Sequence, residues 1–198
     1  MSLETEAKLR VDSHQPVRER LRALGAEFVA RVLETNRIFD RPDGSLRRRG
    51  CGLRIRSVVA ADMTTDRKAG PTHHAATLTF KGPVIAGTFK SREELEVGIS
   101  DAETTARMLA LLGFAPILVY QKRRESWRLG DCRIELDEPP HIGLFVEIEG
   151  PDERAIQEVQ VDLGLEAAAH VRSSYVHMLA AYCEEHGITV RVLNLPDG

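Results

Sequence analysis

Cysteine is scarce: Cys51, Cys132 and Cys183 are the three in 198 residues, an odd number without CxxC spacing. That excludes a disulfide framework and a cysteine-built zinc site, so these side chains are expected to be reduced and partly buried. A long apolar run is also missing, and charged residues alternate from the first strand onward. Neither a membrane-spanning helix nor a secretory signal is therefore expected, and a cytoplasmic location is the default. Neither sign of charge dominates: 27 Lys and Arg against 30 Asp and Glu leave a formal net charge of -3. No nucleic acid and no membrane surface is expected as a partner, although "LRRRGCGLRIR" at 46 to 56 is locally rich in arginine. What is present, 42% hydrophobic and 29% charged residues, suits one substantial globular domain.

The chain reads as a repeated scheme. "LETEAKLRV" at 3 to 11 alternates like a strand, and "DSHQPVRERLRALGA" at 12 to 26 reads as a helix with Asp12 or Ser13 as cap, Pro16 in the first turn and Gly25 as stop. Strand patterns follow at about 27 to 40, 52 to 59 and 75 to 82, with turn chemistry at 41 to 46 and a polar loop at 60 to 74. Residues 93 to 114, "EELEVGISDAETTARMLALLGF", then echo residues 3 to 26, and "FVEIEGP" at 145 to 151 answers "LTFKGP" at 78 to 83. Duplication is the economical reading. The expected fold is α+β: an eight-stranded antiparallel β-barrel from a duplicated β-α-β-β-β unit, with flanking helices. One domain spans 1 to 183, and a C-terminal tail spans 184 to 198. Apolar strand faces exceed what about four helices cover, so a homodimer is an expectation.

Period-two alternation puts charge on one face of most strands. Acids recur as same-face pairs, Glu4/Glu6, Glu94/Glu96, Glu135/Asp137 and Glu147/Glu149, while Lys8, Arg54, Arg56, Lys81, Arg92, Lys122 and Arg124 supply bases. A half-solvated sheet would also alternate, but solvent faces mix their signs. Two carboxylates at i and i+2 stand roughly 7 Å apart at the backbone and repel by about 2 kcal/mol at an effective dielectric near 20. Neighbouring cations offset part of that, and a hard divalent metal offsets more. Closed into a barrel with charge inward, such strands enclose a wet tunnel suited to a metal-bound polyphosphate. Phosphoryl transfer needs cationic clamps and a bridging metal rather than covalent help.

"ETEAK" at 4 to 8 resembles the ExExK signature of the CYTH superfamily, the triphosphate tunnel metalloenzymes. "GLRIR" at 52 to 56, "TLTFKGP" at 77 to 83, "SREELEV" at 91 to 97, "YQKRRESW" at 120 to 127, "IELDEPPHIGLFVEIEG" at 134 to 150 and "SSYVHML" at 173 to 179 extend the resemblance in order. The likeness implies an eight-stranded tunnel that holds a triphosphate end-on with Mg2+ or Mn2+. It implies Glu4, Glu6, Glu94, Glu96, Glu135, Asp137, Glu147 and Glu149 as metal ligands. Lys8, Arg54, Arg56, Lys81, Arg92, Lys122 and Arg124 are implied as phosphate clamps. Catalysis falls to Lys8, Glu4 and Glu6, with Lys8 assisting an attacking water. The expected activity is hydrolysis of tripolyphosphate, thiamine triphosphate or ATP; the alternatives are a class IV adenylate cyclase forming cAMP and a binding module without turnover. Phe39 stands where the likeness leads one to expect tyrosine. His73, His74 and His141 are expected to be structural or surface residues, and Phe80, Trp127 and Phe145 to pack on the outside of the barrel.

Overall fold

The alternating strands pair in a ring. A computed structural model describes residues 2–60, 76–85, 90–189 and 191–195, with the side chains of residues 2–4 and 90 outside that description. The expected loop at 60 to 74, with His73 and His74, falls almost wholly outside the described residues. In chain order the elements are β1 (Ser2–Val11), α1 (Gln15–Ala23), β2 (Glu27–Asp40), α2 (Ser45–Arg48), β3 (Gly52–Ala60), β4 (Ala76–Lys81) and β5 (Lys90–Ile99). There follow α3 (Ala102–Leu111), β6 (Ala115–Leu129), β7 (Cys132–Glu138), β8 (Leu144–Glu149), α4 (Glu153–Asp162), α5 (Tyr175–Glu185) and β9 (Val192–Leu193).

Hydrogen bonding runs β2-β3-β4-β5-β1-β8-β7-β6, and a long antiparallel ladder from Glu27↔Arg128 to Asp40↔Ala115 joins β6 back to β2. Among the described residues, eight antiparallel strands thus close into a ring. Each half supplies strand, helix and three strands, as the duplication predicts; the 41 to 46 turn adds the single helical turn α2, whose amides at Leu46 and Arg47 Asp40 caps. The tail does not stay apart: β9 lies parallel on β6 through Val119↔Val192, and Leu193 and Leu195 are buried.

The apolar cores lie mostly outside the ring. Ala7, Leu9, Ile134, Val146, Ile148 and Trp127 pack beneath Val17 and Leu21 of α1 and Ile156 and Val159 of α4. Phe39, Leu53 and Ile55 pack beneath Leu109 of α3 with Phe80 beside them. Asp101 caps α3 by accepting from the Thr104 amide at 2.8 Å. At α1 the expected cap is displaced by one or two residues to His14, whose ring is buried and whose Nε2 donates to the Phe145 carbonyl at 3.0 Å; burial pushes that imidazole's pKa down.

A third cluster closes one end of the ring. Ile38, Tyr120 and Phe145 share the inward parity of the charged residues on their strands, and Tyr175 and Leu179 of α5 seal them. Phe145 is therefore corrected from an outer position to this floor, where it meets Tyr175 edge-on at 5.2 Å. Among the described residues, no helix is long and apolar enough to cross a membrane.

Candidate active site

Inside the ring, alternation places one charged side chain above another. The cavity measures about 660 Å³ and is lined by Glu6, Lys8, Arg54, Arg56, Lys81, Arg92, Glu94, Glu96, Lys122, Arg124, Glu135, Glu147 and Glu149. Thirteen of the expected site residues therefore share one enclosure. Asp137 does not line it, and the Glu4 side chain lies outside the described residues; its backbone faces Arg92 across the β1–β5 ladder.

The cations are held by acids. Arg124 grips Asp137 with both arms, Nε to Oδ1 at 2.7 Å and Nη2 to Oδ2 at 2.6 Å, and reaches Glu147 at 2.6 Å. Lys122 meets Asp137 at 2.8 Å, and Lys8 meets Glu147 at 3.2 Å. Toward the other side of the bore, Lys81 pairs with Glu94 at 2.5 Å and Arg54 stands 3.7 Å from Glu96. Tyr175 ties the two lysines together: its ring lies 4.0 Å from Lys8 Nζ and 5.1 Å from Lys122 Nζ, and its hydroxyl donates to Asp137 at 3.0 Å.

Burial and charge compete over these groups. Burial, helped by Arg124, pushes Lys122 down against the pull of Asp137 and Glu34. For Arg124 burial is outweighed by Asp137 and Glu34, and the guanidinium is held well above its ordinary value. Burial raises the Tyr120 hydroxyl to about 12. Arg54 Nε is buried without a hydrogen-bond partner, a donor that a phosphate oxygen would satisfy.

Glu34 and Glu147 carry a pH dependence. Burial works to raise both, but Lys122, Arg56 and Arg124 around Glu34, and Lys8, Arg124 and Lys122 around Glu147, hold both well below the carboxylate range. A depressed acid stabilises the fold above its unfolded pKa of about 4.3, and that contribution is lost as pH falls toward the folded value. Glu135 opposes them in part, since burial, against Arg124, raises it. The thermal midpoint is accordingly expected to fall progressively below about pH 4.5, read by circular dichroism between neutral and acid pH. A midpoint that holds steady would count against these pairs.

The acidic wall tests the fit of a metal. Glu6 faces Glu149 across β1–β8, and Glu135 faces Glu147 across β7–β8; like charges directly opposite are unfavourable. Arg124 takes Glu147, while Ser126 and Arg133 take Glu135 at 2.5 and 2.9 Å. Among the described residues, no group of three or more His, Cys, Asp or Glu side chains is arranged to hold a metal ion. The donor chemistry at Glu6 and Glu149, all carboxylate oxygen, fits Mg2+ or Mn2+. Asp137 is better read as an anchor for cations than as a ligand, because it is fully buried and bonded to Lys122, Arg124 and Tyr175. Glu6→Gln is expected to weaken divalent-cation binding beyond the roughly 10–100-fold that loss of an outer-shell partner costs, without lowering the midpoint of the metal-free chain. Calorimetric titration with Mn2+ reads the first, and unchanged affinity would remove Glu6 from the metal site.

Several lining or supporting residues were not expected. Glu34 and Asn36 lie on the inward face of β2, and Glu34 touches Arg56, Lys122 and Arg124; the signal was a polar i, i+2 pair in "ETNRIFD". Tyr120, Arg133, Ser174 and Tyr175 also line the cavity. Tyr175 sits inside "SSYVHML", a motif that in isolation reads as a helix start.

A closed antiparallel barrel with a charged bore defines the tunnel class of fold. The family model described as CYTH domain matches residues 2–175. A Methanocaldococcus jannaschii protein named "putative adenylate cyclase" is 30% identical over 147 residues, which is 74% of this chain and 76% of that protein. A Pyrococcus horikoshii OT3 protein of known structure superposes with a TM-score of 0.74 at 26% identity, over 90% of this chain and 99% of its own. A Hippeastrum protein with a similar cyclase name, described as having a dominant triphosphatase activity, superposes with a TM-score of 0.66 at 19% identity, over 90% and 96%. The chain belongs to the CYTH domain family.

Proposed function

We propose that the bore binds a triphosphate end-on and hydrolyses it with a divalent metal. One observation supports this most: Lys8, Arg54, Arg56, Lys122 and Arg124 line a single cavity whose size, about 660 Å³, falls within the roughly 300–1,000 Å³ of small-molecule sites. Guanidinium groups on several strands match the many oxygens of a polyphosphate, and two of them, Arg56 and Arg124, are already aimed by the buried acids Glu34 and Asp137. Glu6 and Glu149, with Glu4, would hold Mg2+ or Mn2+, which when bound neutralises charge on phosphate oxygens. Lys8 is ion-paired with Glu147 and donates to the Ser173 carbonyl at 3.3 Å. An ammonium offers donors only, so in this geometry Lys8 orients a phosphate oxygen or the attacking water rather than abstracting its proton.

A cyclase reading is favoured by the name of the M. jannaschii relative and uses the same walls, with a ribose hydroxyl as nucleophile. The test is a panel of tripolyphosphate, thiamine triphosphate and ATP with Mg2+ or Mn2+, followed for phosphate, pyrophosphate and cAMP. Phosphate release supports hydrolysis. cAMP with pyrophosphate from ATP favours the cyclase, and binding without any product favours a non-catalytic module. A homodimer through exposed Leu95 and Val97 of β5 belongs to the same proposal, with sedimentation equilibrium as its measurement.

A further inference from the structure

An acid stands behind three of the clamps. Glu34 is only 2% exposed; its Oε1 lies 2.9 Å from Arg56 Nη1 and 3.8 Å from Arg124 Nε, and its Oε2 lies 3.4 Å from Lys122 Nζ. Asn36, two residues on and fully buried, accepts from Arg56 Nε at 3.1 Å. The three cations line the cavity and Glu34 does not. A polyphosphate in the bore thus meets the cations, while the carboxylate stays beneath them. The same cations hold Glu34 ionised against the cost of its burial.

A fixed negative charge in that place has two effects. It gives the clamps a defined orientation when no phosphate is present, and it subtracts from the field that substrate and product feel alike. Attraction felt equally by product slows its departure without helping the chemical step. We propose that Glu34 is a positioning residue that sets the grip of the bore: it aims Arg56, Lys122 and Arg124 and weakens their hold on released polyphosphate enough for turnover. The inference rests on the reading of the bore as a triphosphate site.

Full-length Glu34→Gln and Glu34→Asp test it, by calorimetry with pyrophosphate in EDTA and by steady-state hydrolysis of tripolyphosphate with Mg2+. Glu34→Gln is expected to bind pyrophosphate at least about tenfold tighter than the parent chain, with kcat and KM both reduced. Glu34→Asp keeps the charge and is expected to stay within about threefold of the parent affinity. A purely structural Glu34 predicts weaker binding in Glu34→Gln, so weaker or unchanged affinity overturns the proposal. If Glu34→Gln does not fold, Glu34→Asp decides alone, and a change of about tenfold in either direction is contradictory. A parent chain that binds neither pyrophosphate nor tripolyphosphate overturns the reading of the bore itself, a result distinct from equal binding by parent and variant.

Discussion

Arg124→Met is expected to lower kcat on tripolyphosphate by about 10³-fold or more, the scale of losing an arginine that stabilises a phosphoryl transition state. Arg124 is packed among Asp137, Glu147 and Glu34 with its side chain 13% exposed, and its position in the cavity lets it move from carboxylate to phosphate without leaving the bore. Arg124→Lys is expected to recover little. A single ammonium cannot hold both Asp137 oxygens, now at 2.7 and 2.6 Å, and still present a fork to phosphate. Phosphate release under Mg2+, on protein shown folded by circular dichroism, is the measurement. Activity within about tenfold of the parent chain would remove Arg124 from the chemistry.

Asp137→Asn is expected to cost about 3–5 kcal/mol of folding stability, because breaking a buried ion pair leaves its partners uncompensated. The asparagine keeps the shape and still accepts from the Tyr175 hydroxyl. It no longer balances Lys122, 1% exposed, or Arg124. Urea unfolding reads the loss directly. An exposed pair such as Arg154–Glu158, with side chains 86% and 60% accessible, provides the comparison: Glu158→Gln should change stability by no more than about 0.5 kcal/mol. Equal effects at the two sites would mean that the charges inside the ring are as well solvated as those outside.

The barrel was legible because side-chain alternation is a property of the backbone. Glu6, Arg56 and Glu149 needed only the period of two to share a face, and the echo between residues 3–26 and 93–114 supplied the second half. Depth along a strand was not legible. Asp137 and Glu147 have the same inward parity, yet Asp137 is buried under α5 while Glu147 lines the bore. Phe145 has that parity as well and became part of the floor, since an apolar residue in a charged series marks where the cavity ends. Glu34 was not legible because, unlike the paired acids of the other strands, it has no acid at i−2 or i+2, where Val32 and Asn36 stand. Tyr175 could not be placed by local rules at all: its partners Lys8, Lys122 and Asp137 are far away in sequence. The tail was equally opaque, since the parallel pairing of Val192 with Val119 is set by packing that no short window contains.

The most direct test of the charged bore is a calorimetric titration of the full chain with tripolyphosphate in metal-free buffer, repeated on an Arg54→Met, Arg56→Met variant. One molecule per chain, with affinity that falls steeply as salt is added and drops about a hundredfold in the variant, is the expected result. Absence of saturable binding to the folded parent chain, or binding indifferent to those two arginines, would contradict the account.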